Sequence, residues 1–132
     1  MAAESTTKFH ILLVEDEPVI RELVSSMLSD DTVNVVCAED GIEGLKLAKT
    51  RAFQLILMDV VLPKMDGVTV CRILKSEPTT ASVPVYMLTG KANKADVEIA
   101  TKAGADGYIH KPFRSSELME LVDRLRAALL PS

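Results

Sequence analysis

Four places in this sequence end a short apolar run with a residue able to do chemistry: Glu15-Asp16-Glu17, Asp59, Thr89-Gly90 and Lys111-Pro112. Acids, a hydroxyl and a lysine make a legible set if they meet. Close carboxylates repel and raise each other's pKa unless a cation sits between them. A hard divalent ion with oxygen ligands answers that need, and sparse protein ligation completed by water is the habit of Mg2+. A metal held there would shield the acids from an incoming phosphate. Thr89 and Lys111 could then donate to phosphoryl oxygens, and Asp59 could attack phosphorus to give an acyl phosphate.

Taken singly, each of these residues has a plainer reading. Glu15-Asp16-Glu17 ahead of Pro18 could be acids favoured at a helix N-terminus. Asp59 could open a loop, Lys111 could be a solvated surface lysine, and Thr89-Gly90 could be a turn. Their coincidence favours the chemical reading. His10 and His110 have no ligand-spaced partner and suggest no zinc site.

The elements that must position these groups are strands. Apolar, partly β-branched runs occur at residues 10–14, 33–37, 55–58 and 83–88, with a shorter candidate at 107–110. Their apolarity is continuous, the sign of strands covered on both faces of a parallel sheet. Helical patterns lie between. Val19, Ile20, Leu23, Val24, Met27 and Leu28 form one wide apolar stripe, and Pro18 suits the first helical position. Further helices are predicted over 41–50, after Asp66-Gly67 as far as Pro78, over about 94–103 with Gly104 as a left-handed stop, and after Ser115 as N-cap. The fourth has the weakest apolar stripe.

Five strand–helix repeats imply right-handed crossovers and an α/β, doubly wound (βα)5 domain. Pattern alone does not set strand order. An open five-stranded sheet of this size most often takes the flavodoxin-like order 2-1-3-4-5, with its site at the carboxyl ends of the strands. Strands 1, 3, 4 and 5 are then contiguous, so the four chemical ends share one rim.

Composition narrows the classes. The chain has 132 residues, 48% hydrophobic and 26% charged, the profile of one ordinary globular domain. A net charge of −4 argues against a bulk electrostatic grip on nucleic acid or anionic membrane. Two cysteines, Cys37 and Cys71, cannot make a disulfide framework and read as small reduced core residues. With no secretory h-region and no span-length apolar run, a reducing compartment, the cytoplasm, is expected.

The segments 11–17 (ILLVEDE), 57–67 (LMDVVLPKMDG), 87–90 (MLTG) and 107–113 (GYIHKPF) resemble the receiver domain of two-component response regulators, single-domain chemotaxis regulators included. The resemblance covers nearly the whole chain and suggests a tail over 1–7 and a receiver over 8–130. It implies that Asp59 is the phosphoacceptor, with Mg2+ bound directly by Asp16, through water by Glu15, and by Asp59 and the Val61 carbonyl. Thr89 would hydrogen-bond the phosphoryl group, Lys111 would pair with it, and Tyr108 would turn inward as Thr89 moves. The family commonly has a cis peptide where Pro112 follows Lys111.

Two positions set the family's tempo, here Val61 and Lys91. Apolar Val61 cannot orient an attacking water, so dephosphorylation slower than the fastest is expected. Small Gly90 would leave room for Tyr108 to rotate.

The implied partners are a sensor histidine kinase or histidine phosphotransfer protein and a downstream protein target, with no direct nucleic-acid or membrane contact. A monomer or a phosphorylation-dependent dimer would fit. So would excision from a longer regulator. A Mg2+-dependent phosphatase would want a second acid at position 61. A nucleotide binder would want a Gly- or Ser/Thr-rich loop where Glu15-Asp16-Glu17-Pro18 stands.

Overall fold

The computed structural model describes residues 8–90 and 94–129. Strands and helices alternate: β1 Phe9–Val14, α1 Pro18–Leu28, β2 Val33–Ala38, α2 Gly41–Thr50, β3 Leu55–Asp59, α3 Gly67–Ser76, β4 Val85–Thr89, α4 Lys94–Lys102, β5 Gly107–His110 and α5 Ser115–Leu129. The five strands are parallel and lie in the order β2-β1-β3-β4-β5, as expected.

Each inner strand feeds two cores because its side chains alternate between faces. Leu12, Val14, Ile56, Met58, Val85 and Met87 pack with Ala48 of α2, Val70 and Leu74 of α3, and Ala100 of α4. Ile11, Leu13, Leu55, Leu57 and Leu88 pack on the other face with Val24 and Leu28 of α1 and Leu118, Leu121 and Val122 of α5. Both faces are covered, which is why the strands read as continuous apolar runs.

Local signals place the helix ends. Asp40 and Asp66 cap α2 and α3 by accepting from the Glu43 and Thr69 N–H groups. Gly104, at φ 100°, ends α4 with Ala105 N–H donating to Ala100 O and Gly104 N–H to Thr101 O, a Schellman closure. The Lys111–Pro112 peptide is cis.

Three expectations need correcting. Ser115 is the first residue of α5 rather than its cap; the preceding Arg114 N–H is satisfied by Glu117 Oε1 at 2.9 Å. Residues 83–84 lie outside β4, since Pro84 has no N–H for a ladder and enters the sheet only through its carbonyl, which accepts from Ile56 N–H. The α1 stripe is wider than its buried face: Val24 and Leu28 are buried while Val19 and Leu23 are exposed. Cys71 is buried and Cys37 half-buried, both as free thiols. Among the described residues no helix is long and apolar enough to cross a membrane.

Candidate functional site

Parallel strands aim their carboxyl ends the same way, so residues just past β1, β3, β4 and β5 meet at one rim. Glu15 follows β1 and is fully buried. Asp59 ends β3 and Thr89 ends β4, both buried. Lys111 follows β5, and its backbone N–H donates to Thr89 O at 2.8 Å, tying those strand ends together.

The lysine binds the rim into one unit. Its Nζ donates to Glu15 Oε1 at 2.7 Å and to Asp59 Oδ2 at 2.9 Å, with Glu17 Oε1 4.0 Å away. Backbone groups hold the remaining carboxylate oxygens: Val61 N–H donates to Asp59 Oδ1 at 3.0 Å and Glu17 N–H to Glu15 Oε2 at 3.2 Å. Arg21 of α1 donates from Nη1 to the Glu15 carbonyl at 2.8 Å. Glu17 occupies the N-cap position of α1 but makes no side-chain cap bond. A side-chain cap is therefore not the role of Glu17.

The charge is not balanced within this group. Carboxylate oxygens of Glu15, Glu17 and Asp59 lie within 4.8 Å of one another around a single ammonium. Burial pushes the Glu15 carboxyl up to about 7, the Asp59 charge acting in the same direction and the Lys111 hydrogen bond against it. Burial opposes the Lys111 charge as well, but hydrogen bonds to Asp59 and Glu15 more than offset it and leave Lys111 above the usual lysine range. A divalent cation held by hard oxygen donors fits this donor set.

Glu15, Asp59, Thr89 and Lys111 stand at this rim, as expected for strand ends. Asp16 is exposed and stands outside the close group of acids, whereas Glu17, not expected as a ligand, is inside it. The chain bends at Asp16 just past β1, and the Glu17 N–H turns back onto Glu15 Oε2 at 3.2 Å. Gly67 was also missed. A Cβ there would collide with the Asp59 backbone carbonyl, and the Gly67 N–H donates to Val60 O at 3.0 Å, so this glycine lets α3 start against the acidic strand end.

Val61 projects into solvent, 77% exposed. A Cβ on Gly90 would meet nothing, so open space surrounds that position. Lys91 lies outside the described residues. Tyr108 is 43% exposed and borders a small cavity with Thr89.

With this rim in view, the family comparison is decisive: residues 11–123 match the response regulator receiver domain. The chain belongs to that family. Its receiver is 42% identical over 120 residues to the transcriptional regulatory protein CseB of Streptomyces coelicolor, covering 91% of this chain and 49% of that protein. It is 41% identical over 119 residues to the DNA-binding dual master transcriptional regulator RpaA of Synechocystis, covering 90% and 48%. The chain thus spans about half the length of these curated relatives.

Among solved structures, the chemotaxis response regulator CheY4 of Vibrio cholerae superposes with a TM-score of 0.84 at 30% identity, over 90% of this chain and 99% of that one. The receiver domain of sensor histidine kinase PA1611 from Pseudomonas aeruginosa, described with a magnesium ion in its active site cleft, superposes at 0.84 and 33% identity, over 92% and 99%. This receiver therefore shares both sequence family and flavodoxin-like fold with two-component signalling proteins.

Proposed function

We propose that residues 8–130 are a receiver in which Asp59 accepts a phosphoryl group from a phosphohistidine on a sensor kinase or phosphotransfer protein. Residues 1–7, read as a tail, lie outside the described residues. The observation that carries the assignment is the Lys111 bridge, which ties the buried Glu15 and the strand-end Asp59 to one ammonium beside Thr89.

The transfer is a substitution at phosphorus: the donor's N–P bond breaks as the Asp59 O–P bond forms. Mg2+, when bound among Glu15, Asp16, Glu17, Asp59 and the Val61 carbonyl, would offset the charge that keeps phosphate away. Val61 N–H and Lys111 hold the two Asp59 oxygens, fixing which lone pairs face the incoming group. Thr89 follows the phosphoryl group, and Tyr108 fills the space it leaves. The output is a changed protein-binding surface on α4, β5 and α5, without direct nucleic-acid contact by this domain. The receiver promotes its own phosphorylation and dephosphorylation, the latter slowly, because Val61 offers no group to orient water.

Acetyl phosphate treatment followed by intact mass measurement tests this reading. One phosphoryl group is expected with Mg2+ and none after chelation or in Asp59→Asn. Labelling of Asp59→Asn at the wild-type level would overturn it.

A further inference from the structure

We propose that His110 is a positioning residue for Tyr108, holding the tyrosine ring outward in the resting domain and so setting how much of the switch is already on before phosphorylation. The proposal rests on the switch reading given above and adds a residue to it.

Three observations carry it. Tyr108 and His110 lie two apart on the edge strand β5 and so share a face, while Ile109 between them is buried on the other side. Their rings meet edge to face, centroids 6.5 Å apart and planes at 69°. The pairing of β4 with β5 sets Tyr108 beside Met87 and His110 beside Thr89. The histidine thus stands across the ladder from the hydroxyl to which the tyrosine is coupled.

The inward alternative is narrow. The cavity bordered by Val60, Met87, Thr89, Ala100 and Tyr108 itself has a volume of about 10 Å³, room for about one water and not for a phenol ring. The tyrosine enters only when Thr89 or its neighbours give way. The ring makes the His110 contact in its present, outward position, and swinging inward would give that contact up. An interaction present in one of two states biases the equilibrium by its own worth. An aromatic edge contact is worth a factor of roughly two to ten in that ratio.

Nuclear magnetic resonance on the full, unphosphorylated chain tests this. Three-bond couplings to Tyr108 Cγ report its χ1 populations, in wild type, in His110→Thr, which keeps a strand-forming residue without a ring, and in His110→Phe, which keeps the ring. His110→Thr is expected to raise the inward-to-outward ratio about two- to tenfold, with His110→Phe close to wild type. Unchanged populations in His110→Thr, or an equal shift in both variants, overturn the proposal. Nuclear Overhauser contacts between the two rings in wild type are a check that needs no variant, and their absence overturns it too. Intact mass after acetyl phosphate is read separately. A wild-type protein that takes no phosphoryl group would count against the Asp59 reading and would leave the ring populations to decide the role of His110.

Discussion

Two lysines sit at opposite ends of the same sheet, each against a carboxylate, and they do different work. Lys75, at the amino end of β4 and β5, donates to Val83 O at 2.7 Å, Asp106 Oδ2 at 2.7 Å and Ala81 O at 3.2 Å. These three bonds match the three donors of an ammonium. Asp106 Oδ2 also accepts from Val85 N–H at 2.8 Å. One base meets one acid, and the node closes the loop ahead of β4 onto the start of β5. Lys111, at the carboxyl end, faces three acids, one of them fully buried. A balanced, saturated ion pair ties loops together. An ion pair left with excess charge is poised to take up another ion.

That contrast can be tested by breaking each pair. Lys75→Met removes the donor from two carbonyls and from a partly exposed Asp106 that keeps the Val85 N–H, and should cost about 1–2 kcal/mol in urea unfolding. Its phosphoryl uptake should stay within about twofold of wild type, since every bond that it loses lies at the far end of the sheet; a large loss of labelling would show that the two ends are coupled. Asp59→Asn should do the reverse, abolishing uptake while stabilising the fold by about 1 kcal/mol through relief of like-charge repulsion. A fall in stability would mean that Lys111 depends on Asp59 more than the acids repel.

The smallest effect belongs to a group outside both pairs. Asp66 is held below the ordinary carboxylate range by hydrogen bonds from the Thr69 backbone, opposed by burial and aided by the Thr69 hydroxyl. A depressed folded-state pKa contributes stability above the ordinary value and loses it as pH falls through the folded one. Asp66→Ala should therefore cost about 1 kcal/mol at neutral pH, with the gap to wild type closing below about pH 4. A gap that persists under acid would assign the cap to neutral hydrogen bonding instead.

Much of this molecule was legible in the residue order. Runs such as Leu55-Ile56-Leu57-Met58 announce a strand covered on both faces, and Asp40, Asp66 and Gly104 punctuate helices by short-range chemistry. The rim was legible because strand ends are local and the strand order follows a common arrangement. The failures lay where neighbours outvote the local signal. Val19 and Leu23 continue the apolar stripe of α1, yet the sheet can cover only one side of that helix. That Glu17 comes within reach of Glu15 and Asp59 depends on the path of the chain between β1 and α1, which residue type alone does not set.

By itself the sequence determined the alternation of elements, the double-sided burial of the inner strands and the kind of residue that ends each one. Those follow from hydrophobic period, capping and backbone freedom, all of which act over a few residues. Only the tertiary structure decided which acids share one ammonium, that Gly67 must be bare for α3 to start against Asp59, and that the face carrying Tyr108 and His110 runs beside Met87 and Thr89. These are distances between segments remote in sequence or side chains on an edge strand. They are set by how the sheet twists and packs, which no local pattern encodes.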